Sequence, residues 1–243
     1  MAPTPLADRP VLVAPAPFGG ALRGPVVAAA IGRGLEAAGF APPDLCPVTS
    51  GGAGTIEVLL PALGGETGDG FALVEGGGTA LVEPGADADA TNERLAAAAA
   101  AGAGVVVLAA ADGLPAGALA APEGGARLVV LTGPGDPPVL PPGAVAESGT
   151  RFVLEALEFD ARMRAARAVV TGTGRLDDRA LRGAVEGEIA VRARQAGVPC
   201  HAVAGERALD LFATRILDLQ RIVEATTADA IEAAAAGALA DVL

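Results

Sequence analysis

The last third of the chain alternates apolar runs with helical stretches, and that alternation leaves few folds open. "AVVTG" begins at Ala168 and "PCHAVAG" at Pro199, and the stretches 148–165, 184–196, 207–215 and from about 227 read as helices. Short apolar runs bounded by glycine and separated by helices are the pattern of parallel strands, which need long crossovers and are covered on both faces. The chain starts the same way. "PVLVAPAP" (10–17) reads as a strand and 24–39 as an amphipathic helix, with Pro25 suited to the first turn and Gly39 to the end. "LCPVTSGGAGTIEVLLPALGG" reads as strand, Gly-Gly loop, helix and glycine stop. The middle carries "FALVE", "TALVE", "GVVVLAAA" and "ARLVVLTG" around a helix at 91–102, then the Pro-rich 134–143. The expected class is α/β with a mostly parallel sheet, and in such sheets the loops after the strands form the ligand crevice.

Composition narrows the function classes. With 243 residues, 51% of them hydrophobic, there is apolar content for one large or two small domains. A net charge of −12 with no basic block argues against a nucleic-acid partner. The alanine-dominated run at 95–111 is short and glycine-broken, which argues against a membrane span. The start, "MAPTPLADRP", has no charged segment leading into an apolar one, so no secretory signal is expected. Cys46 and Cys200 are isolated thiols, as expected of a reduced, cytoplasmic protein, and a single histidine argues against zinc. All 17 basic residues are arginine. A Walker-type phosphate loop needs a lysine, so that class is excluded.

The polar loops carry the candidate chemistry, and each has a bland reading beside the functional one. In "AVVTGTGRLDDRALRG" (168–183), Asp177 suits a metal ligand or base, or equally a helix N-cap before "DRALRG". Arg175 could grip a carboxylate or phosphate, or pair with Asp177 or Asp178. The Gly51, Gly52, Gly54 loop offers backbone N–H groups to an anion at a helix start, or is simply a tight turn, with Thr55 as a cap or hydroxyl donor. Cys200 and His201, adjacent on a strand, should point to opposite faces rather than form a dyad. Phe18 reads as packing.

These stretches together resemble the type I glycerate kinase family. The resemblance runs in order over most of 10–205, through "VLVAPAPFGGALRGPVVAAAIGRGL", "CPVTSGGAGTIEVLLPALGGE", "GGTALVE" and "FVLEALEFDARMRAARAVVTGTGRLDDRALRGAV…GVPCHAVAG". It implies a Rossmann-like main lobe built from both chain ends, 9–65 and 151–243, with a shortened α/β insert lobe at 66–150. It also implies ATP and Mg as cofactors, D-glycerate as the phosphate acceptor, and a possible homo- or heterodimer. Carried over residue by residue, the catalytic and Mg-binding position is Asp177. The substrate- or nucleotide-binding positions are Gly51, Gly52, Gly54, Thr55, Gly172, Gly174 and Arg175.

The departures from the pattern fall on its polar residues. A-P-D-S-F-K-G is matched by Ala14 to Gly20 without the acid or the lysine. D-G-G-E-G-T is matched by Ser50, Gly51, Gly52, Ala53, Gly54 and Thr55, again without its carboxylates. G-E-G-R-L-D keeps Arg175 and Asp177 but has Thr173 for the glutamate. The family's Gln, Thr and Lys downstream are matched by Arg179, Ala180 and Ala184, and a long polar loop is reduced to "ADGLPAG". Phosphoryl transfer needs cations on the phosphates, a carboxylate for the metal and a group to orient the hydroxyl. Asp177, Asp178 and Asp112 are the carboxylates left near these strand ends. The expectation is ATP-dependent phosphorylation of D-glycerate that is weak or lost. The alternative is a non-catalytic nucleotide- or anion-binding module that regulates an active paralogue.

Overall fold

The structure, a computed structural model, describes residues 9–135 and 138–243. In chain order the elements begin with β1 (Val11–Pro15), α1 (Gly24–Ala37), β2 (Asp44–Leu45), α2 (Thr55–Leu63), β3 (Glu66–Thr67), β4 (Phe71–Val74), β5 (Thr79–Val82) and α3 (Ala88–Ala100). They continue with β6 (Val105–Ala109), β7 (Arg127–Thr132), β8 (Val145–Ser148), α4 (Gly149–Ala156), α5 (Phe159–Ala165) and β9 (Ala168–Leu176). The chain closes with α6 (Val185–Ala196), β10 (Cys200–Arg207), α7 (Leu211–Leu217), β11 (Leu219–Glu224) and α8 (Ala228–Ala234), which runs on into a π turn at Ala235–Leu239.

The chain forms two compact units. One is the N-terminal segment through Val48 together with Glu158–Leu243, and the other is Thr49–Leu157. The first holds a five-stranded sheet in the order β11-β10-β9-β1-β2, parallel throughout. On one face Val11, Val13, Val170, Val203 and Val223 meet Ile31 and Leu35 of α1, Ile231 of α8 and Leu239 of the π turn. α6 packs on β9 and β10 and meets α5 and α7. The alternation of strand side chains puts Cys200 and His201 on opposite faces, with His201 in phase with Val203.

The second unit has a six-stranded sheet, β3-β4-β5-β6-β7-β8, antiparallel at β3-β4-β5 and parallel from β5 onward. Leu95 and Ala98 of α3 pack on Ala80, Val82, Val106 and Leu108. α2 packs on β4 and β5, and α4 on β7, β8 and α2. These contacts place residues 49–65 and 151–157 in the Thr49–Leu157 unit, where the sequence reading had assigned them to the lobe made from both chain ends. α2 and α4 bury their apolar faces against that unit's own sheet, which decides their membership.

Other elements also differ from expectation. The helix expected over 148–165 is two helices, α4 and α5, because Glu158 adopts a left-handed conformation (φ 52°) between them. β10 extends through Arg207, so the helix expected at 207–215 starts at Leu211. β3, β8 and β11 were not anticipated. All three lie at sheet edges, where one-sided pairing leaves little apolar signature.

Candidate functional site

Polar groups gather at two places, one in each unit. In the first unit β9 runs apolar through Val170 and then turns polar at its carboxyl end. Thr171 donates its hydroxyl to the Ala14 carbonyl at 3.1 Å, and Gly172 lies in register between Pro15 and Val203. Gly174 passes directly over the Phe18 backbone, where a Cβ would stand 2.9 Å from Phe18 Cα. Both glycines serve this close strand-to-loop packing.

Past Leu176 the chain enters a 3₁₀ turn at Asp178–Arg182, capped by Asp177, whose Oδ1 accepts from the Arg179 backbone N–H at 3.0 Å. The same carboxylate receives Arg179 Nε at 3.0 and 3.2 Å and Arg175 Nε at 3.3 Å. Arg175 is also bound through Nη1 to Glu206, which stands opposite it in the β9–β10 register. Asp178 pairs with Arg182 at 3.0 Å. Burial pushes the Asp177 carboxyl up, but the hydrogen bonds from Arg179 and the charges of both arginines outweigh it and leave the group below its ordinary value. Asp177 is therefore a helix cap and the centre of an arginine pair, and Arg175 is paired on both sides.

One further carboxylate belongs to this cluster and went unnoticed in the sequence. Glu186, in the first turn of α6, is only 6% exposed. Burial raises its pKa, partly offset by a hydrogen bond from its own backbone amide and the charge of Arg179, and Asp177 raises it further. Its sequence signal was an acid in the first turn of a helix, which ordinarily marks only a favourable dipole interaction.

In the second unit the loop before α2 is a closed set of hydrogen bonds. The Thr49 and Thr55 hydroxyls lie 3.0 Å apart, Thr55 donates to the Gly52 carbonyl at 2.6 Å, and the Gly51 N–H donates to Thr49 Oγ1 at 3.1 Å. The Ala53 N–H donates to Asp112 Oδ2 at 2.8 Å and the Ile56 N–H to Glu83 Oε1 at 3.2 Å. Gly52 makes the first of these possible, since a Cβ there would land on the Asp112 carboxylate. Gly54 turns the chain into the helix at φ 81°. The positive end of α2 thus already faces two carboxylates of its own unit.

Among the described residues no three His, Cys, Asp or Glu side chains group so as to hold a metal ion. Both thiols are buried, and burial pushes Cys46 up to about 11 and Cys200 up to about 12, so neither is a nucleophile. No helix among the described residues is long and apolar enough to cross a membrane.

One solved structure shares this fold. A crystal structure of a Salmonella typhimurium LT2 protein assigned as glycerate kinase 2 superposes with a TM-score of 0.66 at 17% identity, over 96% of this chain and 97% of that one. That likeness is one of fold. Two curated proteins, the uncharacterized Mb2228c of Mycobacterium bovis and MT2261 of Mycobacterium tuberculosis, are each 37% identical over 73 residues. The matched stretch is 30% of this chain and 19% of each relative. The model of the glycerate kinase family matches residues 11–119 and 138–241. The chain belongs to the glycerate kinase family.

Proposed function

We propose that this chain is a glycerate kinase-type transferase in which ATP-dependent phosphorylation of D-glycerate is weak or lost. The observation that carries the reading is the state of Asp177. The one carboxylate retained from the family's acidic positions caps a turn and is bound by Arg179 and Arg175. A carboxylate so engaged must release an arginine before it can take a divalent cation or a proton. A Mg ion carried in by a nucleotide needs only one or two protein carboxylates, and Asp177, the carboxylate at the matching position, is held by Arg179 and Arg175 instead. The Ala53 and Ile56 amides that a nucleotide phosphate would use already donate to Asp112 and Glu83. Losing one group that stabilises a transition state costs roughly 3–4 kcal/mol. A second reading, a non-catalytic module that still binds nucleotide or an organic anion, is supported by the two guanidinium groups that Arg175, kept from the family pattern, and Arg179, which stands at the family's Gln, bring to one carboxylate.

The test is a thermal-shift titration with Mg-ATP, Mg-ADP and D-glycerate, separately and together, followed by a turnover assay coupled to ADP release. Asp177→Asn is the control, since it keeps an oxygen for the Arg179 amide while removing the charge. A ligand at a hundred times its Kd stabilises by about 2.7 kcal/mol. Slow turnover abolished by Asp177→Asn supports the kinase reading, and a nucleotide shift without turnover supports the binding module. No shift with any ligand, on protein that melts cooperatively, overturns the binding module and makes the activity lost rather than weak, whereas turnover at an ordinary kinase rate of about 1–100 s⁻¹ overturns the first reading.

A further inference from the structure

His201 belongs to neither polar cluster, and its surroundings leave a charged imidazole without compensation. It stands near the start of β10, beside Val170 of β9 and two residues before Val203 on the same face of the sheet. That face is the apolar layer closed over by Ile31 and Leu35 of α1, Ile231 of α8, and Ala235 and Leu239 of the π turn. The side chain is buried, and neither ring nitrogen has a hydrogen-bond partner among the described residues. The charged residues of the elements packed around this layer are Arg33 and Glu36 of α1, Asp229 and Glu232 of α8, and Arg221 and Glu224 of β11. Glu36, Arg221, Glu224 and Asp229 are exposed, and Arg33 and Glu232 bind each other at 2.7 Å. Burial is the one influence on the imidazole, and it disfavours the charged form.

Of the helices over this layer, α8 with its π turn is the less firmly held. α1 buries Val27, Ile31 and Leu35, whereas 228–239 buries Ile231 and Leu239 and otherwise only alanine. The π turn replaces ordinary helical bonds with i→i+5 ones, an arrangement rarely sustained, and Gly237 inside it lowers helix stability further. Segments with few buried apolar side chains open at lower free energy than the strands beneath them. Lifting 228–239 admits water to His201, and a ring nitrogen then takes one proton from solvent. The segment can close again only after that proton has left, because the closed layer offers the charge no partner.

We propose that His201 is an acid-operated release for α8 and the π turn, which stay on the sheet while it is neutral and lift away, uncovering the valine layer, when it is charged. Hydrogen exchange of the full chain, read as the protection of each segment against its unfolded rate at the same pH, measures this directly. One proton per opening, with an ordinary open-state pKa of 6.5, lowers the protection of 228–239 about tenfold between about pH 7.5 and 5.5. At the acid end of that range the segment should exchange faster than α6, which lies outside the apolar layer. His201→Leu, close in volume, should hold the protection of 228–239 constant across the range. His201→Val, which repeats the neighbouring Val170, should do the same if leucine fits poorly. Equal protection of 228–239 and α6 at the acid end means that the unit opens as a whole, and it overturns the proposal. So does wild-type protection that stays constant with pH, or that falls as steeply in the variants.

Discussion

Two buried titratable side chains in the first unit set the pH response of this fold from opposite directions. His201 is 1% exposed, neither ring nitrogen has a hydrogen-bond partner among the described residues, and burial lowers its pKa below the ordinary 6.5. Below that value the unfolded chain takes up a proton that the folded chain refuses, so its contribution to stability is complete above 6.5 and is lost as the pH falls. His201→Leu, of similar volume, should remove that loss on the acid side and stabilise by about 1 kcal/mol at neutral pH, because it deletes an unsatisfied polar group. Glu186 works the other way. Its folded pKa is raised above the ordinary 4.5, so the folded state holds the extra proton and stability declines as the pH rises through the folded value. Glu186→Gln should therefore melt higher than wild type at neutral pH and match it near pH 4. Urea denaturation across the pH range measures both, and a wild-type curve flat through both windows would contradict these assignments.

At the level of elements, close packing rather than helix propensity decides which glycines are needed. Gly34 lies where α1 crosses α8 and the π turn, and a Cβ there would overlap the Glu232 carbonyl and stand 2.7 Å from the Ala235 Cβ. Alanine is the better helix former by about 1 kcal/mol, but overpacking a tight crossing costs about 1–3 kcal/mol. Gly34→Ala is expected to destabilise on balance. Gly237, in the π turn, has nothing within 4 Å of its would-be Cβ, and Gly237→Ala should stabilise by up to about 1 kcal/mol. Opposite signs in paired denaturation curves are the expected result. The elements that sequence reading missed share a physical cause. Nothing in "LEALEFDARM" announces a break, since the turn at Glu158 rests on a backbone conformation that ordinarily goes with glycine. β11 alternates irregularly because only Leu219 and Val223 of its six residues are buried.

The two units of the molecule differ in continuity. Thr49–Leu157 is one uninterrupted stretch with its own sheet and core, and expressed alone it should show a cooperative thermal transition. The other unit is assembled from both chain ends, with β1 seated between β9 and β2. Residues 158–243 by themselves would leave β9 as a bare apolar edge and are expected to aggregate or stay unfolded. Circular dichroism melts of the two fragments make the comparison. Charge acts on the whole chain as well. At −12 the folded state repels itself, so raising the salt concentration should raise the melting temperature at neutral pH, most of it as the Debye length falls from about 30 to 10 Å between 0.01 and 0.1 M. A melting temperature that falls with salt would show that the surface ion pairs outweigh the repulsion.

Local chemistry determined a good deal of this. Glycine-bounded apolar runs specified strands, most of them parallel though β4 is not, Pro25 and the helix-ending glycines specified helix limits, and the absence of lysine removed the Walker class, because each depends on residues a few positions apart. Asp177 was legible as either a cap or a ligand, since a capping acid and a catalytic acid at a strand end have the same local sequence. Only the tertiary structure decided between partners. Arg175 meets Glu206 because β9 and β10 are in register there, and the Ala53 amide meets Asp112 from 59 residues away because Gly52 leaves room for the carboxylate. Ion pairs across strands and between loops are set by register and backbone approach, which no period or spacing within one segment encodes.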